Sequence, residues 1–268
     1  SNYPRFEIVV IDNASTDESL EYLKKQYGKN KKIKIVRSDK QLYFTGGSNL
    51  GAKKASGGKL FFLNSDTVID KNCLKELVNF SQDKKHLVQP KILFSGQRKI
   101  IVNVGGRYNF FGFGSAIGRN QKDRGQYDRS HHKTHINGRA LMIDKSFFEK
   151  LGGFDEWYKF FYEDVDLSLR AKKRGGQCWY CYQSIVYHQG SLSFKNNVSD
   201  EIVIFNSRKN RLQTLIKNFK GWGKIFIILA LMLLYLVLAI QDLLILRPKR
   251  MFLTIRSVFA AVLYNRKA

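Results

Sequence analysis

A chain of 268 residues exceeds one average domain, and with 44% hydrophobic and 13% aromatic residues it is neither disordered nor collagen-like. The formal charge of +24 raises nucleic-acid binding, but the charge is uneven: residues 201–268 carry 12 Lys+Arg against 2 Asp+Glu in the most apolar part of the chain, a pairing that suits an anionic membrane surface better than DNA. Three cysteines, Cys73, Cys178 and Cys181, give no disulfide framework.

Phe6 to Ile11 is a short β-branched run, the pattern of a strand buried on both faces. The polar turn Asp12 to Asp17 follows, and Ser15 with Glu18 reads as a capping box opening a helix with Leu20, Leu23 and Tyr27 on one face. Ile33 to Val36 is a second strand. Gly46 to Gly51 reads as a flexible loop entering a short helix, and Leu60 to Leu63 as a third strand stopping at Asn64-Ser-Asp66. Asp70 opens a helix with Cys73, Leu74, Leu77 and Val78 inward. This alternation predicts an α/β fold, Rossmann-like, with a mainly parallel sheet and helices on both faces. Ligands in such sheets collect at the carboxyl ends of strands, where Asp12 and Asp66 both lie.

Residues 90–138 read as short strand-like stretches such as Ile100 to Val104 among Gly-rich and Arg-rich loops, an acceptor-side or mobile segment. Arg139 to Ile143 resumes strand character, Asp144 caps the helix Lys145 to Lys150, and Glu163 to Arg174 is helical with Val165 and Leu169 inward and Leu167 as a further candidate for that face. Cys178 and Cys181 lie in the apolar run around Tyr180, where positions i and i+3 of a strand face opposite sides, so they read as core-flanking rather than redox or zinc residues. The 22-residue apolar stretch Ile225 to Leu246 is long enough to span a bilayer, with basic residues on both flanks. Met251 to Tyr264 resembles an interfacial helix, and the pair reads more readily as a re-entrant or surface-embedded hairpin than as a span. The expected division is a catalytic domain at residues 1–205 and a basic, membrane-associated helical region at 206–268.

Several groups in this order can carry chemistry. Asp66 is a hard oxygen ligand of the kind Mn2+ or Mg2+ uses alongside phosphate oxygens and water, and His188, at the end of a strand, can add an imidazole. A solvated turn aspartate and a surface histidine are the plainer readings of those two residues taken alone. Glu163, Asp164 and Asp166 crowd a helix start, where the macrodipole favours carboxylates with or without a catalytic role. Trp157, Phe161 and Tyr162 beside them can stack on sugars or fill a core. His131, His132 and His135 include one i, i+4 spacing, without a helix or carboxylate partner that would make it a metal site.

Four blocks in this order, VVIDNASTDES, YFTGGSNLGAKKASGGKLFFLNSDT, RALMIDKSFFEKLGGFDEWYKFFYEDVDLSLRAKKRGG and SIVYHQGSLS, closely resemble glycosyltransferase family 2 with its GT-A fold, in its rhamnosyltransferase-like branch. The resemblance covers most of residues 5 to 195. It implies that Asp12, Asn13, Gly46, Gly47, Asn49 and Asn64 bind a nucleotide-diphosphate sugar donor, and that Asp66 and His188 hold the metal. It also selects Asp164 as the general base, with Glu163 binding the acceptor or orienting the base, while Trp157 and Tyr162 are candidate acceptor contacts. NSD stands where the family more often has Asn-Pro-Asp, which keeps the ligand and changes the stiffness of the turn. The family's opening strand and helix, about 35 to 40 residues, are expected to precede Ser1, and without them weak donor binding is expected.

The function expected from this resemblance is inverting transfer of a sugar to a hydroxyl of a glycan or lipid-linked acceptor in cell-surface polysaccharide synthesis. The expected location is the cytoplasmic face of the cell membrane, reached through the C-terminal region, with no nucleic-acid partner. A basic membrane- or nucleic-acid-binding module and a sugar nucleotidyltransferase are the alternatives.

Overall fold

The computed structural model describes residues 1–109, 111–133, 135–190 and 199–263. Ser191 to Ser193 of the fourth block, together with Tyr264, lie outside them. The described chain divides into two units, residues 1–106 with 116–190, and residues 107–115 with the described residues after 190.

In the first unit, β1 (Ile8–Asn13) pairs in parallel with β2 (Ile33–Ser38). The helix between them, α1 (Ser19–Tyr27), buries only Leu20, and Tyr27 is exposed. The capping box is not formed. Ser15 instead donates its backbone N–H to Asp12 Oδ1 (3.1 Å), and Asp17 Oδ1 accepts from Ser19 N (3.1 Å), so two Asx-type turns take its place. The expected loop at Gly46 to Gly51 is the middle of α2 (Tyr43–Lys54). Glycine disfavours a helix by about 1 kcal/mol per residue, and here packing overrides it: α2 lies on β1, with Gly51 facing Ile11.

The remaining elements up to residue 190 are β3 (Lys59–Leu63), β4 (Thr67–Ile69), α3 (Cys73–Phe80), β5 (His86–Phe94), β6 (Ile101–Asn103), β7 (Gly106–Tyr108), β8 (Gly114–Ala116), β9 (His131–His132), β10 (Ala140–Asp144), α4 (Lys145–Lys150), a 3₁₀ turn (Glu156–Tyr158), α5 (Glu163–Lys173) and β11 (Gln177–His188), of which β7 and β8 fall largely in the second unit and the others in the first. The large sheet runs in the order β3, β10, β5, β11, β4, with β6 beside β5 and β9 beside β11. It is mixed rather than mainly parallel. Only β5 and β11 pair in parallel within it, while β10 lies antiparallel to both β3 and β5, and β4 antiparallel to β11. The helical-crossover argument holds for β1 and β2; β10 instead enters the sheet from the long excursion that follows β5 and needs no parallel crossover.

The unexpected central strand is β5, where Pro90 lacks a backbone N–H for its neighbour. The pairing register with β11 shifts at that point: Cys181 faces Pro90, Ile185 faces Lys91, and Tyr182 to Ser184 bulge between them. Buried Lys91 is matched by Asp123 (2.8 Å) and Asp128, and Gln89 Nε2 donates to Asn103 Oδ1 (2.6 Å).

Helices cover both faces of the large sheet, as expected. Phe147 and Phe148 of α4, Leu167 and Ala171 of α5 and Ala52 of α2 pack on one face with Leu141 and Ile143; Cys73 and Leu77 of α3 pack on the other with Val88, Ile92 and Met142. Cys178 belongs to the first cluster and Cys181 to the second, so the two thiols face opposite sides as the strand period requires. Asp144 caps α4, accepting from Ser146 N (3.1 Å) and Ser146 Oγ (2.7 Å). The second unit contains α6 (Asp200–Asn218), α7 (Trp222–Leu244) and α8 (Pro248–Val262), whose shared core includes Leu212, Leu215, Ile227, Leu231, Tyr235 and Ala261.

On α5 it is Leu167, fully buried, and not Leu169 that joins Val165 in the core. Leu167→Ala is expected to cost about 2–5 kcal/mol, and Leu169→Ala about 1 kcal/mol or less. Chemical denaturation of the two variants measures this, and equal losses would contradict the placement.

Candidate active site

Two loops of the large sheet meet where β3 ends and β10 begins. Asn64 N donates to the Arg139 carbonyl (3.1 Å), extending the antiparallel pairing of Leu63 with Ala140 by one bond. On the next residue back, Gly138 N donates to Asp164 Oδ2 (2.9 Å), while Val165 N donates to Asp164 Oδ1 (2.8 Å). Both oxygens of the candidate base are thus oriented by backbone groups. Beyond Asn64, Thr67 Oγ1 donates to the Asn64 carbonyl (2.6 Å) and tightens the Asn64-Ser-Asp66 turn. Gln189 N donates to the Asp66 carbonyl (2.9 Å), which carries the β4 and β11 pairing on to the turn. A continuous backbone path therefore links Asp66 to Asp164 through Asn64, Arg139 and Gly138.

Asp66 and His188 are brought together, with Asp66 Oδ1 lying 3.4 Å from His188 Nε2, a buried nitrogen that makes no hydrogen bond. Burial holds the His188 imidazole below its ordinary pKa, with the Arg139 charge adding to that and Asp66 opposing it, so the neutral ring that a metal requires is favoured. Gly190 N donates to His188 Nδ1 (2.8 Å), which in the neutral ring leaves the hydrogen on Nε2. An ion at Nε2 therefore requires that hydrogen to move to Nδ1 and the Gly190 bond to be given up. The pair fits Mn2+ or Mg2+, for which one or two protein ligands beside phosphate oxygens and water suffice. Among the described residues no group of three His, Cys, Asp or Glu makes an all-protein cage. His131, His132 and His135 do not converge on one: His131 and His132 form β9, where Nδ1 of His131 lies 2.9 Å from the Arg129 carbonyl and the His132 ring meets Trp179 in a tilted contact with centroids 3.7 Å apart.

The carboxylates at the start of α5 divide by environment. Asp166 is fully buried and accepts from Arg170 Nε (2.7 Å), a pair internal to the helix that also anchors the Leu151 carbonyl through Arg170 Nη1 (2.6 Å). Glu163 is buried with Oε2 lacking a hydrogen-bond partner. Burial raises its pKa well above the ordinary 4.5, the charges of Asp164 and Asp166 add to this, and Arg139 opposes it. The residues ahead of α5 are held in left-handed backbone, with φ of 62° at Lys159 and 68° at both Phe161 and Tyr162. For bulky residues that costs about 1–3 kcal/mol each. Tyr162, two positions before Asp164, is half-buried, and Trp157 is exposed.

At the end of β1, Asp12 is buried. Its Oδ2 makes no hydrogen bond and lies 3.7 Å from Arg37 Nε, which leaves a buried acceptor unsatisfied. The other expected donor residues hold the frame. Asn13 accepts from Leu42 N (2.7 Å) and donates to the Tyr43 carbonyl (3.1 Å). Asn49 exchanges bonds with the backbone of Phe154 (2.9 Å each way) and donates to Glu156 Oε1 (3.0 Å). Gly46 and Gly47 are buried in α2, whose Phe44 packs over Gly138. A residue that sequence reasoning missed is Arg139, half-buried, whose backbone N and Nη1 both donate to Asn137 Oδ1 (3.1 and 3.2 Å). Its signal was the basic residue heading an otherwise apolar strand.

A family model described as Glycosyl transferase family 2 matches residues 1–152. The chain is 29% identical over 199 residues to the O-antigen biosynthesis protein RfbC of Myxococcus xanthus, covering 72% of this chain and 16% of that protein. It is 24% identical over 241 residues to the low-salt glycan biosynthesis hexosyltransferase Agl10 of Haloferax volcanii, covering 81% and 74%. In fold it is similar to GalNAc-T7 with UDP, GalNAc and Mn2+ (TM-score 0.61, 22% identity, 78% of this chain and 41% of that one). It is also similar to the mannosyltransferase PcManGT from Pyrobaculum calidifontis in complex with GDP-Man and Mn2+ (TM-score 0.54, 14% identity, 97% and 66%). The fold is GT-A.

The raised Glu163 carboxyl has a measurable consequence. Over the pH range above 4.5 in which the unfolded chain has released this proton, the folded chain retains it, so the folded state binds more protons and stability falls as pH rises. Glu163→Gln lacks that slope. Its stability relative to the parent chain should increase as the pH is raised above 4.5 in denaturant melts, and a constant difference would contradict the burial argument.

Proposed function

Since the chain belongs to glycosyl transferase family 2, we propose that it moves a hexosyl group, such as rhamnosyl, from a nucleotide-diphosphate sugar to a hydroxyl of a glycan or lipid-linked acceptor with inversion. The observation that carries this reading is the backbone path holding Asp66 and Asp164 to either side of Arg139 and Gly138. Asp164 takes the proton of the acceptor hydroxyl as its oxygen attacks the anomeric carbon. Burial pushes the Glu163 pKa up, which favours its protonated form as a hydrogen-bond donor toward the acceptor or the base. Asp12 receives the nucleobase or ribose, and Asn13, Gly46, Gly47, Asn49 and Asn64 shape the donor pocket. Trp157 and Tyr162 supply faces for the acceptor sugar. Asp66, with His188, would hold Mn2+ or Mg2+, which supplies positive charge to the diphosphate when bound.

A role in cell-surface polysaccharide synthesis is supported by relatives described as O-antigen and glycan biosynthesis proteins. The chain spans 16% of the first and 74% of the second, so the acceptor is inferred from its chemistry alone. Location at the cytoplasmic face of the membrane rests on α7, which is long and apolar enough to cross a bilayer by length and composition. Its inner stripe of Ile227, Leu231, Tyr235 and Ala239 is buried, while Phe226, Leu229, Leu233, Leu236 and Ile240 are exposed, and Phe252 and Phe259 of α8 add further apolar surface. An exposed apolar face of this size beside Lys220, Lys224 and Lys249 suits a lipid surface. The chain should float with anionic vesicles in a density gradient; recovery free of lipid would count against membrane association.

Asp164→Asn should lower turnover by about 100-fold or more while leaving donor affinity within about twofold. Near-parental turnover would remove Asp164 as the base. Asp66→Ala should abolish the manganese-dependent part of the thermal shift produced by UDP or GDP, and an unchanged shift would remove Asp66 as the ligand.

A further inference from the structure

Arg139 is a half-buried guanidinium at the centre of the site, with Asn137 Oδ1 as its hydrogen-bond partner and no ion-pair partner among the described residues. Its backbone lies between the Asn64-Ser-Asp66 turn and the Gly138 N–H that orients Asp164. Its charge lowers the pKa of both His188 and Glu163, so both lie within its electrostatic reach. A cation there works against a second cation bound at Asp66 and His188, unless an anion lies between them. The side chain is also held from behind: Asn137 N donates to Gln89 Oε1 (2.7 Å), and fully buried Gln89 donates in turn to Asn103 Oδ1 (2.6 Å). This buried polar relay positions Asn137 and, through it, the arginine.

Resting on the donor reading above, we propose that Arg139 is a catalytic residue that binds the departing diphosphate and neutralises the charge that develops on it. In the transfer step the acceptor oxygen bonds to the anomeric carbon, the bond from that carbon to the terminal phosphate oxygen breaks, and its electron pair stays on that oxygen. The acceptor proton passes to Asp164. A nucleotide sugar carries two negative charges on its diphosphate, and the departing nucleoside diphosphate carries about three at neutral pH, because the freed phosphate ionises again with a pKa near 6. A fixed guanidinium favours the second species over the first, which is the preference that accelerates bond breaking.

The test compares UDP with UDP-GlcNAc, and GDP with GDP-mannose, by calorimetry in the presence of Mn2+. Arg139→Gln should weaken nucleoside diphosphate binding by about 10- to 100-fold and nucleotide-sugar binding by about threefold or less, so that the affinity ratio of product to donor collapses. A structural role alone would lower both equally or change only the melting temperature. If Arg139→Gln melts before binding can be read, the ratio is measured in Arg139→Lys, where a partial drop of about threefold is expected. An unchanged ratio in whichever variant folds overturns the proposal and leaves the donor reading standing. A parental chain that binds none of the four compounds removes both.

Discussion

The bond from Asn64 N–H to the Arg139 carbonyl continues the antiparallel pairing of β3 and β10 one step past the end of the strand, and the site depends on that step. It fixes the Asn64-Ser-Asp66 turn against the first residues of β10. The adjacent Gly138 N–H then reaches Asp164, so a carboxylate from the end of one strand and a carboxylate from the start of a helix about a hundred positions later share one frame. Neither aspartate needs a long flexible arm, because backbone groups orient both neighbourhoods. The cost is carried ahead of α5, where Lys159, Phe161 and Tyr162 take left-handed backbone, held by packing of this loop on α2 through the Thr45 N–H to Lys159 carbonyl bond (3.2 Å) and the Tyr43–Phe160 contact.

The electrostatics follow from the same crowding. Glu163, Asp164, Asp166, Asp66 and His188 gather near Arg139, and each acidic group is treated differently. Asp166 is matched by Arg170 within one helix turn and belongs to the scaffold. Asp164 accepts two backbone N–H groups. Glu163 is buried with an unpartnered oxygen and keeps its proton over a wider pH range than an ordinary glutamate. The neighbouring carboxyl groups are thus separated by environment, and the proposed division into proton acceptor and hydrogen-bond donor rests on that separation.

Much of this was legible in the sequence, and what was not has physical reasons. Asp12, Asp66 and His188 stand at strand ends, and strand ends are read from short β-branched and aromatic runs. The thiols of Cys178 and Cys181 fell on opposite faces as a period of two requires. Choosing Asp164 over Glu163 and Asp166 needed the family resemblance, because three carboxylates on one helix turn look alike until the Gly138 and Arg170 contacts are known. The strand β5 was hidden by Gln89-Pro90-Lys91, which reads as a loop and is buried only because β11 bulges at the proline and two aspartates meet the lysine. The helix through Gly46 and Gly47 was hidden by composition, since packing on β1 overrides a poor local propensity. Arg139 was one of 46 basic residues, and its importance lies in the β3–β10 register, which no local pattern encodes.

In the proposed reaction Asp66 acts at the diphosphate of the bound donor and Asp164 on the far side of its anomeric carbon, where the acceptor enters. A crystal structure of the chain with Mn2+ and UDP or GDP, recorded at the manganese absorption edge, tests it most directly. The expected result is an anomalous peak bonded to the Asp66 carboxylate and to diphosphate oxygens, with Asp164 still bonded to Gly138 N and facing the open end of the diphosphate. Manganese or nucleotide bound away from Asp66, or a diphosphate whose open end faces away from Asp164, would contradict it.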